Sequence, residues 1–228
     1  LRRQKADLVH ILLPHFLHGC YAKAAMECGV SVLPEKPVTI SLSEADELIE
    51  LQKRTGVQLG VIFQNRYIAG VKRVRELIAQ GAMGSVKGAC SNLNWYRPES
   101  YYQCDWKGSW EKEGGGVVID QAIHSIDLVS YMTGLEAVRI MGHTARRVLT
   151  GIEAEDEADA AVWLENGAVY SFYACNYFTT NSPIRVCISC EKAAATLTHE
   201  QMEIAWADGR RETILPETEG CETGEGYW

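Results

Sequence analysis

Gly114-Gly115-Gly116-Val117-Val118-Ile119-Asp120-Gln121-Ala122-Ile123-His124-Ser125-Ile126-Asp127-Leu128 is the stretch on which the reading of this chain turns. Three glycines end a polar loop, and an apolar run at helical spacing follows them. Glycine lets the backbone approach a ligand closely, because no Cβ stands in the way. Asp120 and His124 are four residues apart, so a helix projects both side chains from one face, toward one small molecule. A carboxylate beside an imidazole orients the ring and raises its proton affinity, which suits a group trading a proton near neutral pH. The same pattern also describes a buried amphipathic helix whose histidine is an ordinary core residue. Asp127 reads as a solvent-facing or loop-capping residue.

Two further stretches bear on that choice. Glu35-Lys36-Pro37 follows the apolar run Val30-Ser31-Val32-Leu33, and Asp105-Trp106-Lys107-Gly108-Ser109-Trp110 lies just ahead of the glycines. Together with GGG-x3-D-x3-H they resemble the Gfo/Idh/MocA family of nicotinamide-dependent dehydrogenases, over about residues 7–200. In that family an E-K-P tripeptide closes a strand of the dinucleotide-binding domain, and the glycine run opens a helix of the second domain.

The resemblance implies an NAD- or NADP-dependent oxidoreductase acting on a sugar, sugar derivative or cyclic polyol. It places Lys36 where cofactor and substrate meet, hydrogen-bonding the reacting hydroxyl. Lysine begins with a pKa near ~10.4 and needs desolvation or a cationic neighbour to act near neutrality. His124 is the candidate base, or the acid in carbonyl reduction, with Asp120 orienting it and binding a substrate hydroxyl; the proton is assigned to the Lys36/His124 pair. Pro14 and His18 match a P-x-x-x-H loop that passes the cofactor, although His18 could equally cap its helix. Glu35, Gln64, Trp106 and Lys107 complete the implied cofactor contacts. Lysine in place of the family's arginine at 107 keeps the charge and loses the bidentate fork. Arg66, Tyr67, Tyr96 and Arg97 could line the sugar site or be ordinary surface. No metal site is expected, since His15, His18, Asp120 and His124 come from separated segments without metal-motif spacing. The rival reading is a non-catalytic sugar- or dinucleotide-sensing or scaffold protein on the same fold.

Composition narrows the class. The 228 residues carry a formal charge of −8, and the basic residues are scattered, so no nucleic-acid footprint is indicated. No apolar run approaches the roughly 20 residues of a membrane span, nor does a leader-like segment open the sequence. The eight cysteines show no framework spacing and read as reduced thiols of a cytoplasmic protein. Cys187 and Cys190 have CxxC spacing inside a strand-like run, where they face opposite ways.

Along the chain, apolar runs at 7–13, 30–33 and 57–63 alternate with helical segments at 15–28 and after Ser41. Ser41 with Glu44 reads as a capping box. This is the grammar of a doubly wound parallel sheet. Beyond residue 64 come a helix bearing Val71, Val74, Leu77 and Ile78, a strand at 86–95, the glycine helix, and strand-like segments at roughly 137–148, 157–164, 167–178, 184–190, 193–198 and 202–207. The expected fold is therefore α/β: a partial Rossmann-type parallel sheet over residues 1–63, then an α+β substrate-binding and oligomerisation domain over 64–228 with a large, mostly antiparallel open sheet. A homodimer or homotetramer through that sheet is the expected assembly, with Tyr170, Phe172 and Trp163 on its face. No G-x-G-x-x-G occurs. Beside the family, this reads as an N-terminally truncated chain lacking roughly 70 residues of β-α-β-α-β, the alternative being a natural short paralogue that kept the back half of the fold for another purpose. Residues 216–228 read as an acidic, glycine-rich loop.

Overall fold

The computed structural model describes residues 6–216. The expectation for the stretch after Pro216 lies outside the described residues. Strand β1 (Leu8–Ile11) and strand β2 (Ser31–Pro34) pair in parallel, with Leu8 opposite Ser31 and Ile11 opposite Pro34. Helix α1 (His15–Glu27) connects them and buries Ala22, Ala25 and Met26 against Ile11 and Val32. Helix α2 (Leu42–Thr55) closes the same cluster with Leu48 and Leu51.

Two details differ from the sequence reading. The stretch at 57–63 lies parallel beside β2 through bridges at Leu59 and Ile62, without forming a continuous ladder. Ser41 sits at the N-cap of α2, but its side chain makes no capping bond. Its hydroxyl pairs with that of Ser43 at 2.7 Å, and Glu44 lies against Gly19 of α1 instead of reaching back, so no capping box forms.

The rest of the described chain builds one eight-stranded sheet. Its strands are β3 (Val86–Asn94), β4 (Ala137–Ala145), β5 (Glu157–Leu164), β6 (Val169–Cys175), β7 (Arg185–Cys190), β8 (Ala193–Thr198), β9 (Gln201–Trp206) and β10 (Arg211–Ile214), in the order 10-9-8-7-3-6-5-4. Only β3 and β6 run parallel; β3 takes β7 antiparallel on its other side. The β10 strand is an addition to the expected set. The β5–β6 turn forms as Glu165-Asn166-Gly167-Ala168 suggests, with the Asn166 side chain accepting from Ala168 N–H at 3.0 Å.

Helices α3 (Ala69–Ala79) and α4 (Ile123–Thr133) cover one face of the sheet. Val71, Val74 and Leu77 of α3 and Leu128, Val129 and Met132 of α4 pack with Leu93, Val162, Ile188 and Ile204. That burial fixes α4, and with it the turn that precedes it.

Candidate active site

The site forms where the end of β2 meets the turn into α4. The turn Val118–Ala122 is π-helical and passes into α4 at Ile123. Gly116 sets its position: a Cβ there would lie 1.9 Å from the backbone oxygen of Glu155. Val117 N–H donates to that oxygen at 3.0 Å, and Val118 N–H to the Glu155 carboxylate at 3.1 Å. Gly114 adopts φ +87°, and its Cβ would meet Ile40 at 2.7 Å. At these two positions glycine thus permits close approach of the chain to itself, a role the sequence reading had given to a ligand.

Lys36 follows directly on β2 and reaches into this turn. Its ammonium donates to the backbone oxygen of Asp120 and, at 3.2 Å, to Oδ1 of the same residue. The other carboxylate oxygen is more crowded. Lys107 Nζ donates to Oδ2 at 3.0 Å and Tyr101 O–H at 2.7 Å, with the Gln121 amide alongside. Lys107 also donates to Tyr101 Oη at 2.6 Å, so one hydroxyl bridges the amine and the carboxylate. Burial opposes the charge on Asp120, but Lys36 and Lys107 outweigh it and hold the carboxyl well below the usual range. Burial likewise works against Lys107, while Asp120 and Tyr101 keep its ammonium charged above the ordinary lysine range. Charge-assisted hydrogen bonds of this kind are stronger than neutral ones.

Two imidazoles stand beside the cluster. His15, at the start of α1, donates from Nδ1 to the Glu113 backbone oxygen at 3.0 Å. That leaves its Nε2 as the acceptor nitrogen in the neutral ring, 3.9 Å from Asp120 Oδ1. His124 is 9 % exposed, meets the Phe63 ring edge-on at 6.0 Å, and has no hydrogen-bond partner at Nδ1. Burial lowers both to about 4; Asp120 opposes the fall in each, and Lys36 adds to it. Both rings are neutral at pH 7. Among the described residues no hydrogen bond joins Asp120 to His124; the carboxylate is taken up by the lysines and Tyr101. The Asp120 carboxylate thus hydrogen-bonds Lys36 and not the His124 ring it was expected to orient.

Other expected residues are placed differently. His18 is fully buried, its ring held between the backbone oxygens of Pro37 at 2.7 Å and Leu13 at 2.6 Å, and it neither caps α1 nor lies open to a ligand. The Lys36–Pro37 bond beside it is cis. Pro14 occupies the N-cap of α1. Glu35 donates its backbone N–H to Ile11 and bridges to Ile62, and Gln64 opens a short 3-10 turn. Trp106 lies 5.0 Å from the His15 ring, with Lys107 over its face at 4.6 Å. Arg66 forms a two-pronged ion pair with Asp127, one arm at 2.8 Å, and stacks on Phe63 and Tyr131. It is therefore tied to α4, and Asp127 is its partner, not a solvent-facing residue. Tyr67 is 74 % exposed and Tyr96 is 49 % exposed, its backbone N–H bound to Asn181.

Sequence reasoning missed Tyr101 and Glu113. Tyr101 stands in the aromatic loop ahead of the glycines, a signal that could have found it. Beside α4, a cavity of about 220 Å³ is lined by Asn65, Trp95, Ser125, Leu128, Ile184 and His199, among others. The Asn65 Nδ2 and Ser125 Oγ atoms are buried there without partners. No group of three or more metal-ligating side chains occurs among the described residues, nor any helix long and apolar enough to cross a membrane.

Comparison with known proteins identifies the family. Residues 1–63 match the model of the oxidoreductase family with an NAD-binding Rossmann fold, and residues 71–196 match the GFO/IDH/MocA C-terminal domain. The uncharacterized oxidoreductase YdgJ of Escherichia coli is 33 % identical over 132 residues, covering 57 % of this chain and 36 % of its own. The scyllo-inositol 2-dehydrogenase (NAD(+)) of Bacillus subtilis is 27 % identical over 219 residues, 92 % of this chain and 61 % of its own. Among solved structures, the WlbA dehydrogenase of Bordetella pertussis, in complex with NADH and UDP-GlcNAcA, superposes with a TM-score of 0.84 at 28 % identity, over 92 % of this chain and 61 % of its own. The chain thus spans about one to two thirds of the length of the relatives it matches. It belongs to the Gfo/Idh/MocA oxidoreductase family.

Proposed function

We propose that this protein transfers a hydride between a secondary hydroxyl of a sugar, sugar derivative or cyclic polyol and a nicotinamide dinucleotide. The observation that carries the reading is the meeting of Lys36, from the end of a parallel strand, with the turn that bears Asp120 and leads to His124. Ligands of open α/β sheets bind outside the carboxyl ends of their strands. Here those ends present Pro14, Glu35 and Lys36 together with Leu12 and Leu13, which are 66 % and 38 % exposed. That mixture of apolar surface and a single ammonium fits the nicotinamide end of NAD or NADP, with Trp106 and Lys107 on the facing loop. The chemistry that NAD or NADP would supply when bound there is hydride exchange at the nicotinamide C4.

The chain's own residues handle the rest. Lys36 Nζ, held by Asp120, donates a hydrogen bond to the reacting oxygen. His124, neutral at pH 7, takes the hydroxyl proton in oxidation or returns it in reduction, as one member of the Lys36/His124 pair. Relatives named scyllo-inositol 2-dehydrogenase, 1,5-anhydro-D-fructose reductase and D-glucoside 3-dehydrogenase act on compounds of this class.

Steady-state assays of the native protein against a panel of sugars and polyols, with NAD and with NADP, test the reading. Lys36→Ala is expected to lower kcat by at least about 10²-fold. Unchanged turnover in that variant, or ligand binding without turnover in the native protein, would favour the sensing role instead.

A further inference from the structure

Glu113, the residue before the glycines, is a carboxylic acid with 1 % exposure and no part in the chemistry set out above. One oxygen accepts from Gly108 N–H; the other has no hydrogen bond and lies 3.5 Å from Lys107 Nζ. Lys107 thus stands between two buried carboxylates, with Asp120 Oδ2 at 3.0 Å on its other side. Lys36, Asp120, Lys107 and Glu113 form one chain of alternating charge. With Glu113 ionised the four charges cancel, and with Glu113 protonated the cluster carries one net positive charge.

We propose that Glu113 is a positioning residue whose charge state decides how Lys107 is shared between two carboxylates, and through it how firmly Asp120 holds Lys36. Ionised, Glu113 draws Lys107 toward itself and leaves Asp120 to Lys36. Protonated, it gives Lys107 up to Asp120, which then divides its charge between two ammonium groups.

The surroundings make this exchange accessible near neutral pH. The groups facing Glu113 are Lys107 and Tyr102 on its own loop, Asp120 on the π turn, and His15 of α1, which binds its backbone oxygen. Burial first, and the Asp120 charge second, push its carboxyl up to about 7, while Gly108 N–H and Lys107 restrain the rise. A carboxyl kept only as a structural anchor for Gly108 would need no charge, since the oxygen of an amide also accepts that bond, though more weakly.

The inference rests on the reading of Lys36 and Asp120 as the reacting site, and its test separates the two. In the unsubstituted chain, side-chain NMR signals of Lys107 and Tyr101 are expected to titrate with an inflection near pH 7. Glu113→Gln, which keeps the acceptor for Gly108, is expected to lose that inflection, and the pH profile of kcat/KM in Glu113→Gln to lose the limb the unsubstituted protein shows near pH 7, or to shift it by at least about one pH unit. Lys36→Ala should abolish turnover yet leave the Lys107 inflection in place, so failure of the catalytic reading shows separately. If Glu113→Gln does not fold, the carboxyl carbon of Glu113 in the unsubstituted protein is followed instead. An inflection that survives in Glu113→Gln, or a Glu113 carboxyl that titrates in the ordinary carboxylate range, would overturn the proposal.

Discussion

Lys36 and Lys107 approach opposite oxygens of Asp120, at 3.2 and 3.0 Å, from the end of a parallel strand and from the loop ahead of the glycines. One carboxylate therefore compensates two mostly buried ammonium groups, and the two sequence segments are held together through it. Removing one partner of a buried ion pair costs far more than the net worth of the pair, because the other charge stays desolvated. Asp120→Asn is expected to destabilise the protein by about 3–5 kcal/mol at pH 7, measured by urea unfolding. The folded carboxyl is depressed, so its contribution is present above the ordinary value of 3.8 and is lost as pH falls below it. The difference between the two proteins should accordingly shrink in acid. A loss under about 1 kcal/mol at pH 7, the size of an exposed pair, would mean the cluster is screened by solvent.

The neutral imidazoles give the opposite boundary of the same site. His124 and His15 both fall from 6.5 to about 4 on folding. Below 6.5 the unfolded chain takes up protons that the folded one refuses, so stability declines as pH drops toward the folded value. Each ring then costs roughly 2 kcal/mol by about pH 5. His124→Gln, which cannot be protonated, is expected to recover about that amount at pH 5 relative to its own effect at pH 7. Parallel pH–stability curves for the two proteins would show that His124 ionises freely in the folded state.

The sequence made some of these relationships visible and hid others for physical reasons. Glu35-Lys36-Pro37 and the glycine run stood out because each is a local pattern, and the strand-like segments at 157–164 and 167–178 read as strands from sequence, the second forming over Val169–Cys175. Arg66 and Asp127 are separated by 61 positions, so nothing local told that the arginine was already taken or that the aspartate was not facing water. The spacing of Asp120 and His124 suggested one helical face, but the π turn at Val118–Ala122 alters the register between them, and apolar periodicity is too coarse to show one extra residue in a turn. His18 matched a cofactor-loop pattern while its ring was committed to two backbone oxygens, which no side-chain motif records. Ser41 and Glu44 had the right spacing for a box, yet Ser43 offered the hydroxyl a nearer partner.

Gly116 gives the last test, because its role is steric and independent of any ligand. A methyl group there would sit 1.9 Å from Glu155 O, with the backbone carbon and nitrogen of Glu155 at 2.9 and 3.1 Å. Backbone cannot swing aside as a side-chain tip can, so the turn itself must move and release the bonds from Val117 and Val118 to Glu155. Gly116→Ala is expected to cost at least about 3 kcal/mol, read as a fall in Tm. Any folded remainder should also lose turnover, since Asp120 lies one π turn beyond. Gly151→Ala is the control: nothing lies within 4 Å of its added Cβ, and its stability should change by no more than about 0.5 kcal/mol. If Gly116→Ala proves as mild as Gly151→Ala, the glycine run serves the approach of a bound molecule and not the packing of the turn on Glu155.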